Sequence, residues 1–300
     1  MRPASCVLAG LTVLLLALAV RPALADLTIH AVHVRDGGMT PDLRLTQDER
    51  IELTATRRRT DDSTSYQYTG KDRPPPPIPR ASAMTEVVAL DQGVLWGWAP
   101  DGDGYREAPL SQVRSQRGAL WRQVLAPEPD PSAAIEQGAD SLGPWATPAW
   151  KFASGKRTIA GLPARRVVST WHEGGEDSIV FEAWIAREAP GAAESAAFDS
   201  GARAAMLLDP VLPLGVADQW GPAWLRVARV LRAAEGMPLA LKVSRLRSSV
   251  TEAGPDGQPL TRLLEHPMVA IEDRFEVLAI STESIDPLRF QLPARLRLLE

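Results

Sequence analysis

Cysteine is nearly missing from this chain: its 300 residues contain one, Cys6. Cys6 sits at the front of an apolar run, Val7 to Val20, that follows Met1 and Arg2 and is closed by Arg21 and Pro22. A positive start, a short apolar stretch and the small-x-small triplet Ala23-Leu24-Ala25 make a secretory signal peptide. Residues 1–25 are therefore read as a leader cleaved after Ala25, with Asp26 as the first mature residue. The run is about 14 residues, short of the roughly 20 that a spanning helix needs. Cys6 lies too early for lipid attachment behind the run. Once the leader is gone no thiol remains, which excludes a disulfide framework, thiol catalysis and cysteine metal sites. An exported chain without disulfides depends on a packed core. A mature chain of about 275 residues can bury roughly 70–75% of its unfolded surface.

A second long apolar run is also lacking, so no transmembrane segment is expected in the mature chain. A net positive charge is lacking. Losing Arg2 and Arg21 with the leader takes the formal charge from −4 to −6. Such a chain lacks the basic footprint of a nucleic-acid binder. The local run Arg57-Arg58-Arg59 is followed by Asp61 and Asp62 and reads as a solvated strand end.

Catalytic signatures are missing as well. No Gly-x-Ser-x-Gly elbow, phosphate loop or dinucleotide fingerprint occurs. His30 and His33, three residues apart on a strand, point to opposite faces and do not chelate one ion. "WHEGGED" (171–177) groups His172, Glu173, Glu176 and Asp177, but a zinc protease places a second His four residues on, where this chain has Glu176. "DGDG" (101–104) fails the calcium-loop template at Arg106 and Gln112 and reads as a hairpin turn. No catalytic residue, metal or cofactor is expected.

What is present is strand pattern. "LTIHAVHVR" (27–35), "DLRLTQ", "RIELTATR", "MTEVVALD" and "GVLWGWAP" alternate in the strand manner. "YREAPL" follows the acidic turn. "KDRPPPPIPR" is a surface spacer, because consecutive prolines cannot pair in a sheet. From Pro109 to Leu125 the period changes to that of a helix, with Leu110, Val113, Leu120, Trp121 and Val124 on one face. Residues 126–149, rich in Pro, Gly and Ala, read as a long loop. "KRTIAGLPARRVVSTW" (156–171) is a strand, a Gly161-Leu162-Pro163 corner and a second strand; "DSIVFEAWIARE" adds another across Gly174-Gly175. Residues 189–205 form a small-residue segment without an assigned element. Val216, Trp220, Trp224, Val227 and Leu231 form one apolar helical stripe, starting near Gly221 with Pro222 at its first position and stopping at Gly236 and Pro238. "LALKVSRLRS", "TRLLEHPMVAIEDRFEVLAIS" and "LRFQLP" close the chain as strands.

About ten to twelve strands with two helices, strand following strand, predict an antiparallel sheet. A sheet that long must twist and curl. The expected fold is mainly β (α+β): a single domain over 26–300, a curled antiparallel sheet or open half-barrel whose helices cover the concave face. Nine tryptophans outnumber three tyrosines and five phenylalanines. Trp96, Trp98, Trp171 and Trp184 fall on strands, Trp220 and Trp224 on the second helix. They stabilise any core they enter, and pockets use the same residue types. The residues expected to line a groove are Trp96, Trp98, Trp184, Trp220, Trp224, Val227 and Leu231.

Three separated blocks carry a resemblance. "TIAGLPARRVVSTW" with "FEAWIARE", "VVALDQGVLWGWAPDGDGYREAPL" and "FEVLAISTESIDPLRFQLP" resemble a bacterial family of exported proteins known as domain of unknown function 4412. That family is similar in architecture to periplasmic lipoprotein carriers, open half-barrels with helices in the mouth. The resemblance implies an apolar groove able to hold an acyl chain. The Pro-rich loop and the 126–149 insertion depart from the family pattern at the rim. The function expected is a non-enzymatic periplasmic protein that binds or carries an apolar ligand, a lipid or a lipoprotein acyl chain. Two alternatives stay open: an envelope module that recruits a protein partner, and a hydrolase with an unrecognised site.

Overall fold

The computed structural model describes residues 26–37, 42–70, 78, 80–116, 147–172, 177–206, 220, 222–253 and 258–299. The leader, residues 126–146 of the long loop and most of the proline run lie outside the described residues, as do Leu120, Trp121, Val124 and Val216. The strands are β1 (Leu27–Gly37), β2 (Leu43–Leu53), β3 (Arg57–Tyr68), β4 (Ser82–Ala89), β5 (Val94–Trp98), β6 (Gly104–Pro109), β7 (Trp150–Ile159), β8 (Leu162–His172), β9 (Ser178–Ala186), β10 (Met237–Ala253), β11 (Pro259–Ser281) and β12 (Arg297–Leu298). Three helices stand among the described residues: α1 (110–116), α2 (Ala192–Met206) and α3 (Pro222–Ala234).

All twelve strands belong to one unclosed sheet in the order β12-β6-β5-β4-β3-β2-β1-β11-β10-β9-β8-β7. Chain neighbours pair antiparallel from β1 to β6 and from β7 to β11, and β1 and β11 join the two halves in the same way. Only the two-residue β12 runs parallel to its neighbour, β6. Register shifts interrupt β1–β11 between His30 and Ala31 and β10–β11 at two further places. Bulges of this kind strengthen local twist and bend a strand. The architecture is the expected curled, open half-barrel.

The corner at residues 159–162 has a local cause. Ile159 pairs Leu162, and the two residues between them, Ala160 (φ 48) and Gly161 (φ 78), both have positive φ. That is the type I′ geometry that matches strand twist.

Alternation along β1 builds the inner face. Leu27, Ile29 and Ala31 are buried apolar residues, and the same parity continues as buried His33 and Arg35. All three helices cover this face. Leu110 of α1, Phe198 and Ala202 of α2, and Trp224, Val227, Val230 and Leu231 of α3 join one core with Val167, Phe181 and Leu241 of the sheet. A smaller core forms on the other face, where Val87, Ala89, Trp96 and Trp98 pack against Ile285 and Phe290 of the C-terminal segment.

Three parts of the chain differ from the sequence reading. Residues 192–206 form helix α2: alanine has the best helix propensity, and Glu194 lies in the first turn. The piece read as a final strand holds a 3-10 turn at Pro287–Phe290, capped by Asp286 Oδ1, which accepts from the Leu288 amide at 2.9 Å. "DLRLTQ" and the first four residues of "RIELTATR" merge into the one long strand β2, which ends at Leu53, and β3 begins at Arg57.

Beyond the apolar part of the inner face, charge is buried. Asp273 of β11 accepts from His33 Nε2 at 2.7 Å and from Arg35 Nε and Nη2 at 2.9 and 3.2 Å. The Trp220 indole N–H donates to its second oxygen. The Arg245 guanidinium stands 5.5 Å from the Trp220 ring centroid. Burial alone would raise the Asp273 carboxyl, but the His33 and Arg35 bonds and charges hold it below its ordinary value. Its contribution to stability is therefore present above about pH 3.9 and is lost as pH falls through its depressed folded value. Asp273→Ala strands Arg35 as an uncompensated buried cation, so unfolding free energy in urea should drop by about 3–5 kcal/mol.

Candidate functional site

A cavity of about 860 Å³ lies between the inner sheet face and α2. Its floor comes from β1 to β4 and β11, one side from α2, and one end from Leu231 of α3 and the Gly236–Pro238 crossover into β10. Strand parity sets its character. In β2, Gln47, Glu49, Ile51 and Leu53 share one face. Ile51 faces Ile29 across one ladder and Thr60 across the other. Ile29, Ile51, Leu53, Met237 and Val277 make an apolar end. One pleat further along, Glu49 stands opposite Asp62, and Asp62 opposite Met84.

Gly236 (φ 124) permits the tight turn out of α3 at the apolar end. A Cβ there would meet the Ala186 carbonyl oxygen at 2.7 Å, so only glycine fits.

The polar end carries Glu49, Asp62 and Glu86, with Arg58 as the neighbouring cation. Arg58 Nη2 lies 3.4 Å from Glu86 Oε1. Glu49 is 1% exposed, and neither carboxyl oxygen has a hydrogen-bond partner among the described residues. Burial raises its carboxyl to about 8; Asp62 adds to the rise, Arg58 opposes it and Asp48 adds again. Burial, Glu86 and Asp61 raise Asp62 to about 6. Among the described residues no group of three or more His, Asp or Glu is arranged to hold a metal ion.

Of the residues expected to line a groove, Leu231 is on the cavity wall. Trp220, Trp224 and Val227 are buried in the core beside it, Trp220 on Asp273. Trp96 and Trp98 stand on the other sheet face. Their partners Val87 and Thr85 have the parity of the outer core, and Arg59 lies over Trp98 with its carbon 5.7 Å from the ring centroid. Trp184 is also on the outer face, in a shallow depression with Val32, Val34 and Arg44, its indole N–H donating to Glu182 at 3.1 Å. His30 turns outward to Asp48 at 3.0 Å while His33 turns inward to Asp273. His172 accepts or donates across the hairpin to Ser178 at 3.0 Å.

Sequence reasoning passed over Glu49 and Asp62. The signal was available in β2: Glu49 falls on the parity of Ile51 and Leu53, the one acidic residue in an apolar register.

No family model and no curated protein matches the chain. Solved structures do resemble it. An outer membrane lipoprotein-sorting protein domain from Vibrio parahaemolyticus is 8% identical, with 90% of each chain covered and a TM-score of 0.25. The MucA/MucB complex of Pseudomonas aeruginosa gives 12% identity and a TM-score of 0.32 over 91% of this chain; the chain spans 58% of the length of that relative. A LolA superfamily protein from Nitrosomonas europaea is 7% identical, covers 94% of this chain and 97% of its own, and has a TM-score of 0.25.

A carboxyl raised in the folded state binds its proton more tightly there than in the unfolded chain. Glu49 therefore leaves stability intact below its ordinary value of 4.5 and removes it progressively as pH rises toward about 8. Glu49→Gln should flatten the fall in unfolding free energy between pH 5 and 8, a difference on the order of a few kcal/mol at the upper end. Urea titrations of both proteins across that range measure it.

Proposed function

We propose that the mature protein binds or carries an apolar ligand, a lipid or a lipoprotein acyl chain, in the periplasm. The observation that carries this reading is the unfilled cavity of about 860 Å³ between sheet and α2. Its volume falls in the range of about 300–1,000 Å³ that small-molecule sites occupy. Each Å² of acyl surface taken from water into its apolar end contributes about 25 cal/mol. The export signal read at residues 1–25 supports a cell-envelope location, and no described helix is long and apolar enough to cross a membrane.

Helix α2 is the element proposed to admit the ligand. It enters the core through Phe198 and Ala202, whereas α3 enters through Trp224, Val227, Val230 and Leu231. Lifting α2 exposes far less apolar area than lifting α3, so α2 separates first. The binding chemistry is burial and shape, with no bond made or broken.

A second reading, recruitment of an envelope protein, is favoured by β7, which ends the sheet and, among the described residues, pairs with β8 alone. An open edge accepts an added strand. Lys151 and Lys156 on that edge act against indiscriminate pairing.

Protein purified natively from the periplasm should carry extra mass in intact-mass measurement that leaves on solvent extraction as lipid. The stripped protein should take up a fluorescent fatty acid. Ala196→Trp, on the exposed side of α2 that lines the cavity, should weaken uptake about tenfold, or 1.4 kcal/mol, with the melting temperature unchanged. Uptake as strong as in the parent would remove the cavity from the reading.

A further inference from the structure

We propose that the ligand is an amphiphile with a primary ammonium head, its tail at the apolar end and its head on Glu49 and Asp62. The inference rests on the cavity reading above and names the chemistry that the same site selects.

The sheet wall is unbalanced in charge. Glu49, Asp62 and Glu86 are three carboxyls on adjoining strands, against the single guanidinium of Arg58, which already stands on Glu86. Glu49 is the decisive residue: buried, on the cavity wall, with two acceptor oxygens that no described group satisfies. Buried polar groups in native proteins almost always have partners. An ammonium supplies three donors and no acceptor, the complement of the unsatisfied Glu49 carboxyl with a second carboxyl, Asp62, opposite it. A carboxylate or phosphate head would bring like charge against the same wall. The remaining charged groups face the cavity from its mouth. Arg203 and Arg232 are exposed, Arg187 is exposed beside Glu235 at 3.7 Å, and Asp199 is half-buried. These stay solvated and screened, while the sheet wall is not. A folded partner does not fit about 860 Å³; a single amphiphile does.

The raised values of Glu49 and Asp62 have the direction this predicts. Glu49, kept from ionising by burial and by Asp62, and Asp62, kept so by burial, Glu86 and Asp61, both gain when a cation is placed beside them. Affinity for an ammonium head should then climb as pH rises from about 5 to about 8 and both groups release their protons.

Three probes with one tail separate the possibilities: dodecylamine, dodecanol and dodecanoate, each titrated into the delipidated full mature chain by calorimetry. The amine should bind at least about tenfold tighter than the alcohol at pH 8, a preference that shrinks at pH 5. Glu49→Gln with Asp62→Asn should bring the amine-to-alcohol ratio near one. That ratio is read within one protein, so a general loss of stability does not mimic it. Equal affinity for alcohol and amine, or tighter binding of the acid, overturns the ammonium assignment and leaves the cavity reading standing. Failure of all three probes to bind overturns both. Displacement of the amine by a lysine-rich peptide and not by a second alkylamine also overturns it, in favour of a protein ligand.

Discussion

The buried contact of Asp273 with His33, Arg35 and Trp220 is the constraint on which the inner face depends. β1 and β11 are where the two halves of the sheet meet, and Asp273 is opposite Arg35 across that seam. An anion there cannot be left alone: the desolvation of a single buried charge exceeds most packing gains. Once Arg35 and His33 meet it, Trp220 becomes the donor that closes the set, and Trp220 stands just before α3. An apolar stripe by itself could slide along a greasy face with little change in buried area. A directional hydrogen bond at its first turn removes that freedom. The height of α3, and with it the position of Leu231 on the cavity wall, follows from an ionic contact that lies outside the cavity.

The outer face obeys a different demand. A single layer of twelve strands has two faces, and β4 is buried on both: Val88 in the inner core, Val87 and Ala89 in the outer one. Trp96 and Trp98 add to the outer patch, too large to leave in water on a monomer. The C-terminal segment covers it, and a charged network pins the cover. Arg289 reaches Glu52 and Asp61 at 2.8 Å each, Asp61 also accepts from Arg59 and Thr85, and Asp26 receives the Ile285 amide at 2.7 Å. Burial pushes the Asp61 carboxyl up, but these donors and guanidinium charges hold it below its ordinary value. The tryptophans of β5 are thus explained by the cover they need.

Period-2 alternation made the sheet legible in the sequence, and with it the antiparallel pairing and the curl, because each depends on neighbouring residues. The 4-4-3-4 stripe and Pro222 made α3 legible for the same reason. What stayed hidden was which face is which. Parity says that residues 96 and 98 agree with each other, but whether they face α3 depends on the pairing of β5 with β4 and of β4 with β3, a chain of non-local registers. Helix α2 was hidden because alanine gives no amphipathic contrast: Ala192, Ala193 and Ala196 look alike whether they face a void, a core or water. Glu49 was hidden by habit, since an acidic residue in a strand is ordinarily a solvated one, and only its register with Ile51 marked it as inward.

Those same alanines explain why the cavity exists. Core packing in proteins is close, and a gap of this size persists only when the elements on its two sides cannot approach further. α3 can approach the sheet because its stripe of Trp224, Val227 and Leu231 fills the space it covers. α2 presents Ala192, Ala193, Ser195 and Ala196 to the floor, side chains too short to reach Ile51 or Glu49. Closing the gap would bring the helix backbone toward Glu49, a carboxyl already buried without a hydrogen-bond partner among the described residues. Small residues above and a buried acid below therefore act in the same direction, each keeping the other from filling the space. A sequence selected only for stability would replace either with a larger apolar side chain.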